Sequence, residues 1–192
     1  MHVSPTAMDG RVARGALNRQ SVVDAFLDLV QGGDLRPTAQ RVAERAGVSL
    51  RSVFHHFDDM EALLASAAEA HVARHPLQPL PATGPLPERI QAFVDQRAAI
   101  CEEVLPVYRA ALLAEPFSPV IAERVSAATG AMRRQVTRVF GLELGDLGRH
   151  RLEAVELVSS LDGWARLRLR QGLSAGRARR MLSDTLTALL AG

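Results

Sequence analysis

The chain is expected to be all-α, with a small N-terminal helix-turn-helix domain of three helices followed by a larger helical domain. Three observations lead there. Apolar residues recur every three to four positions through nearly every segment, the period of one helix face. No segment alternates with period two over a useful length, as a half-buried strand would. Finally, five of the ten prolines fall between His75 and Glu88, where an extended connection is favoured over helix and the chain divides.

The elements follow in order. Val22, Val23, Phe26, Leu27 and Val30 make a helical stripe that ends at Gly32-Gly33, giving a first helix from about residue 18 to 31. Thr38 is placed to cap a second helix through Ala46; Gly47-Val48-Ser49 then breaks the pattern before a second short run. Asp58 or Asp59 can cap a fourth helix carrying Leu63, Leu64, Ala67 and Ala70. Beyond the prolines, Ile90, Phe93, Val94, Arg97, Ile100 and Val104 share a stripe, and Pro106 starts a short piece that stops at Pro116. Ser118-Pro119 pairs an N-cap with proline at the first helical position, and Ile121 to Val139 continue at helical spacing. A glycine-rich turn is expected over 141 to 148, then a long helix to about Gln171, and a last helix capped by Ser174. The expected division is an arm over 1–17, a helix-turn-helix domain over 18–75, a connection over 76–87 and a helical domain over 88–192.

Composition excludes several classes. The 192 residues are 47% apolar and 23% charged, the usage of an ordinary globular protein rather than of a disordered or fibrous one. No apolar run approaches the roughly 20 residues of a spanning helix, and no signal-peptide pattern opens the chain, so a cytoplasmic protein is expected. The lone cysteine, Cys101, has no partner for a disulfide or a thiolate zinc pair. All 23 basic residues are arginine, which removes Schiff-base and Walker lysine chemistry. The sequence pI of about 9.4 follows from this, because a formal charge of only +2 meets almost no group titrating between histidine and arginine. No catalytic constellation, cofactor motif or metal site is read. His71 and His75 stand at i and i+4 but lack the H-E-x-x-H glutamate, and Cys101 with distant His150 is no nucleophile–base pair.

Residues 38–57, TAQRVAERAGVSLRSVFHHF, carry the chemistry. Two helices of about eight residues meet at Ala46, which must be small, and Gly47 accepts the positive φ of the turn. With Val42, Ala43, Val48, Val53 and Phe57 inward, the second helix presents Ser49, Leu50, Arg51, Ser52, Phe54, His55 and His56 at its start or outer side. In such a motif that helix enters the major groove of double-stranded DNA. Arg51 matches the O6 and N7 of guanine bidentately, and Thr38 offers a hydroxyl and a helix N-terminus to a phosphate. His55 and His56 can donate to phosphates or bases, which makes such contacts sensitive to pH. Arg11, Arg14 and Arg19 form either a basic arm toward DNA or a solvated tail. Residues 11–57 hold 7 arginines against 4 acids, so the motif argues for DNA more strongly than the charge does.

Residues 19–64 resemble the DNA-binding domain of the tetracycline-repressor (TetR) family of bacterial transcription regulators. Thr38–Ser49 is similar to its T-x-x-x-I-A-x-x-A-G-V-S, and Ser52–Leu63 to T-L-Y-x-H-F-x-x-K-E-x-L. Phe54 stands where the family usually has tyrosine and Met60 where it has lysine, and each change removes a sequence-independent contact to DNA. The stretch LDGWARLRLRQGLSAGRARRMLSDTLTALL resembles the last two helices of many members.

The resemblance implies a repressor that binds a palindromic operator as a homodimer through its last two helices and is released by a small-molecule effector. Leu161, Gly163, Trp164, Leu182, Leu186 and Leu189 are the expected dimer contacts, with intrachain packing of Trp164 as the alternative. Phe93, Arg97, Cys101, Tyr108, Leu112, Phe117 and Trp164 are expected either to line an effector pocket or to be ordinary core. Arg97, a charge on an apolar stripe, needs Glu102, Glu103 or an anionic ligand. The alternative function is a helical protein-interaction or nucleoid-associated protein with the same fold and no ligand response; an enzyme is not expected.

Overall fold

The computed structural model describes the backbone of residues 5–147 and 149–191, and side chains over 15–145 and 150–191. All regular elements among them are helical: α1 (Pro5–Gln31), α2 (Ala39–Ala46), α3 (Leu50–His56), α4 (Met60–Arg74), α5 (Leu86–Ala114), a 3-10 turn (Glu115–Phe117), α6 (Pro119–Leu147), α7 (Arg149–Ser159), α8 (Leu161–Ala165), a π-turn (Arg166–Arg170) and α9 (Ala175–Leu190). No described helix is long and apolar enough to cross a membrane.

The chain forms two compact units that are not contiguous in sequence. Residues up to Arg74 join Pro106–Arg124, whereas His75–Leu105 joins Val125 onward. The proline-rich stretch marks one edge of this division, but Pro106–Arg124, expected in the second domain, packs with the first. Both α5 and α6 pass from one unit to the other, α5 at Pro106 and α6 after Arg124.

In the first unit α1 packs on α2 and α4, burying Val22, Val23, Phe26, Leu27 and Val30. Each such side chain contributes about 1.5–3 kcal/mol against its exposed state. The helix begins at Pro5, well ahead of the start expected near residue 18, so the backbone of 5–17 is helical rather than an extended arm. The side chains of Arg11 and Arg14 lie outside the described residues. Arg19 is not on a free tail: its guanidinium lies 4.8 Å from the Phe57 ring centroid and donates to Ser66 Oγ at 2.9 Å.

The second unit centres on Phe93, Phe140, Val155, Trp164, Leu182 and Leu186, all buried, with Phe93 and Phe140 edge to face. Its helix boundaries differ from the expected ones in three places. Proline does not end α5, because Pro106 sits inside it and merely omits one N–H. The glycine-rich stretch is helical up to Leu147, with a kink at Phe140 (φ −117°, ψ 16°) in place of a turn. The long helix expected from about 147 to 171 is broken at Ser160, whose hydroxyl caps α8 by accepting from Gly163 N at 3.0 Å.

Candidate nucleic-acid interface

Local rules fix the helix-turn-helix. Thr38 has extended backbone, and its hydroxyl accepts from Arg41 N at 3.3 Å, starting α2. Gly47 ends α2 at φ 68°, the left-handed conformation in which a Cβ is disfavoured, and its N–H and that of Val48 return to the open carbonyls of α2. Ser49 repeats the device two residues later, accepting from Ser52 N at 3.1 Å and starting α3. Asp59 caps α4, accepting from Ala62 N at 2.7 Å. Three successive caps therefore set the positions of helices too short to be stable alone.

α3 has seven residues, with Val53 buried and Phe57 buried at its C-cap. Its other face carries what the sequence placed there. Ser49, Arg51 and His55 are exposed, Ser52 and His56 half-buried, and Leu50 and Phe54 are 39% and 49% exposed despite being apolar. The His55 and His56 rings lie 5.2 Å apart. Burial, then the neighbouring His55 and Arg19, hold the His56 imidazole below its usual range.

The remaining arginines of this unit are largely committed. Arg41 pairs with Asp34, Arg45 with Asp28 at 2.8 Å, Arg74 with Asp24, and Arg36 donates to the Leu113 carbonyl at 3.0 Å. Arg51 has no hydrogen-bond or ion-pair partner among the described residues, so its donors stay available at the second position of the exposed helix. Arg51 shares this with Arg109 among the arginines of the unit whose side chains are described, and is the one that stands on α3.

The expected dimer contacts do not share an outer face. Leu161, Trp164, Leu182 and Leu186 are buried within the chain, and Leu189 is half-buried. Gly163 faces its own chain: a Cβ there would stand 2.6 Å from the Leu157 carbonyl oxygen, so close packing against the end of α7 accounts for the glycine. The apolar side chains that α7 and α9 leave open are instead Leu157 and Met181. Alternating exposure along those helices could have signalled this, because the buried stripe cannot also face a partner.

The expected effector-lining set also divides. Phe93, Arg97, Cys101 and Trp164 lie in the second unit, whereas Tyr108, Leu112 and Phe117 belong to the first. Phe117 is 82% exposed, at the lip of an apolar cleft of about 350 Å³ lined by Phe26, Pro37, Met60 and Leu64. Cys101 is fully buried, and burial pushes its thiol up to about 12, which makes it an inert packing group. Trp164 donates to Glu102 Oε1 at 2.6 Å, and Arg168 grips both oxygens of that carboxylate at 2.6 and 3.0 Å.

Glu102 is thus unavailable to Arg97, contrary to one expected pairing, and Glu103 lies 3.8 Å from His75. Arg97 donates instead to the carbonyls of Ser159 (3.0 Å) and Met132 (3.3 Å) and to Gln135 Oε1 (2.8 Å), with its guanidinium 4.7 Å from the Phe93 ring centroid. Sequence reasoning missed Gln135, a polar residue on the buried side of α6. It also missed Arg89, which is buried against Glu143 and the Val139 carbonyl. His71 is buried in α4.

Comparison with known proteins agrees with the motif. Residues 29–74 match the family described as bacterial regulatory proteins, tetR family. Over 94 residues, 48% of the chain, it is 34% identical to the class D tetracycline repressor of Escherichia coli and, equally, to the class H repressor of Photobacterium damsela subsp. piscicida. The match spans only 42% of the length of those relatives. Among solved structures, a transcriptional regulator from Rhodococcus sp. Rha1 superposes with a TM-score of 0.71 at 21% identity, covering 91% of this chain and 96% of that one. A TetR transcription regulator from Haloarcula marismortui gives 0.66 at 18%, covering 92% and 97%. At these identities the structures establish the fold alone, and the helix-turn-helix carries the likeness to the tetR family.

Proposed function

We propose that the chain, whose residues 29–74 match the tetR family of bacterial regulatory proteins, is a member of that family, a cytoplasmic homodimeric repressor that holds a palindromic operator and releases it when a small-molecule effector binds. The observation that carries the DNA-reading step is α3 itself. Capped by Ser49 and anchored by Val53 and Phe57, it presents Leu50, Arg51, Phe54 and His55 outward. Those N-terminal positions are the ones that meet base edges when such a helix lies in the major groove. Arg51 is assigned the guanine contact, Leu50 and Phe54 apolar contact with thymine methyls, and Thr38 with Ser49, Ser52, His55 and His56 the flanking phosphate and base contacts. A seven-residue helix covers only a few base pairs, so two copies related by a two-fold axis are needed for useful specificity.

The test is fluorescence anisotropy on the DNA upstream of the protein's own gene against a scrambled duplex, at two salt concentrations. Preferential binding is expected, and Arg51→Ala is expected to lose about 1–3 kcal/mol of that preference. Equal, salt-labile binding to both duplexes by the parent protein would reject sequence-specific reading.

A further inference from the structure

The second unit contains a charge with no counter-charge. Arg97 is 1% exposed, its Nε–H has no acceptor, and its other partners are two carbonyls, an amide and an aromatic face. Burial of a cation without a carboxylate is costly enough that it pulls this guanidinium down to about 10. The neighbouring carboxylates are engaged elsewhere: Glu102 by Arg168, Glu143 by Arg89, Asp95 by Arg179, and Glu153 and Glu156 by Arg133.

Beside this charge lies a cavity of about 200 Å³ between the segment Leu77–Leu80 and the α6 residues Arg134, Gln135, Arg138 and Val139. Gln135, only 9% exposed, belongs to both places, because it lines the cavity while its Oε1 accepts from Arg97. Its Nε2 donates to Gln96, which in turn donates to the Gln78 carbonyl on the cavity's opposite wall. A hydrogen-bonded chain therefore runs from the cavity wall to the buried guanidinium. Arg134 and Arg138, on the same wall, make no ion pair among the described residues. Two arginines thus line this small space and a third stands behind Gln135, with no carboxylate among the lining residues.

The geometry points to this cavity as a binding site for a small anion, a carboxylate or phosphate group held by Arg134, Arg138 and the Gln135 amide, with Arg97 supplying the field behind them. An acid group there provides the negative charge that Arg97 lacks, and Gln135 transmits its arrival to the carbonyls of Met132 and Ser159 at the α6 and α7 ends of the Arg97 network. That this anion acts as the effector rests on the repressor reading above; that it binds does not.

The test is isothermal titration of the full chain, without DNA, with inorganic phosphate in one arm and succinate in the other, at ionic strength matched with chloride. Saturable binding in at least one arm is expected, and which arm responds distinguishes the phosphate from the carboxylate source. Arg138→Met, an exposed change that leaves the core intact, is expected to weaken it at least tenfold. Arg97→Met is expected to abolish it and, because it leaves the Ser159 and Met132 carbonyls and Gln135 Oε1 without their donor, to lower the melting temperature of the free protein. Absence of saturable binding beyond the chloride control in both arms, or undiminished binding by Arg138→Met, would overturn the site. Because DNA is absent, failure of the operator experiment leaves this result unaffected.

Discussion

Single residues decide how α3 is held and how it titrates. Gly47 was legible in the sequence, because the turn between two short helices needs a positive φ, whereas Ser49, read only as a DNA-facing residue at the start of the second helix, serves as its cap. Ser49→Ala is expected to cost about 1 kcal/mol, and Ser49→Asp to restore most of it; thermal melting of the three proteins checks this, and equal midpoints would show that Val53 and Phe57 hold the helix unaided. His56 carries a pH dependence whose sign is expected to differ between the free and the DNA-bound protein. His56 is depressed in the folded state, so its protonation opposes folding. The free protein should therefore lose a little stability as pH falls below about 6.5, and His56→Gln should remove that loss. On DNA the nearby phosphates favour the charged ring, so affinity should rise over the same interval. Anisotropy and melting across pH 5.5–7.5 would read both slopes, and slopes of the same sign would place His56 away from the phosphates. What the sequence did not disclose at this scale was the partner of each charge. Arg97 stood out on its stripe, but Glu102 at i+5 is drawn instead to Trp164 and Arg168, more than sixty positions along the chain.

At the scale of elements, the helical period was the legible quantity and the breaks were not. Leu152, Val155, Val158, Leu161, Ala165 and Leu169 keep one spacing straight through Ser160, so period alone predicts one helix where there are α7, α8 and a π-turn. The break arises from side chains competing with the backbone. Ser159 Oγ donates to the Val155 carbonyl at 2.6 Å, and Ser160 leaves the helix to cap the next. Conversely, Pro106 looks like a terminator yet costs α5 only one hydrogen bond, which its flanking buried residues Leu105, Val107 and Tyr108 outweigh. The α8 and π-turn segment is fastened to α5 by the Glu102 carboxylate, which Arg168 and Trp164 hold below the usual carboxylate range. A depressed folded-state value gives stability that is present at neutral pH and lost as pH falls through and below the ordinary carboxylate range. Glu102→Gln is therefore expected to melt lower at pH 7 and to show a flatter decline between about pH 5 and 3. Differential scanning calorimetry over that range tests it; an unchanged slope would mean that other carboxylates dominate acid unfolding.

The whole molecule was the least legible scale, because neither of its two compact units is contiguous in sequence. The proline-rich stretch marks a boundary that a linear reading can find, but nothing local in Pro106–Arg124 says that it returns to the unit holding α1–α4. The same limit hid which of the residues expected at a dimer contact are buried within the chain. α7 and the π-turn pack against α9, and Leu182 and Leu186, expected at a dimer contact, are buried within one chain. A partner can use only what remains outside, and on these helices that is Leu157, 66% exposed, and Met181. If the dimer forms there, Leu157→Glu buries a like pair of charges near a two-fold axis, where repulsion and desolvation add. The variant is expected to keep its melting cooperativity, since the native side chain is mostly in solvent, and to sediment as a monomer at concentrations where the parent protein is a dimer. Its operator affinity should fall at least a hundredfold, because one α3 then replaces two on the half-sites. Sedimentation equilibrium with and without the substitution decides the matter: an intact dimer would move the interface off α7, and a monomer that still binds the operator tightly would separate DNA reading from dimerisation.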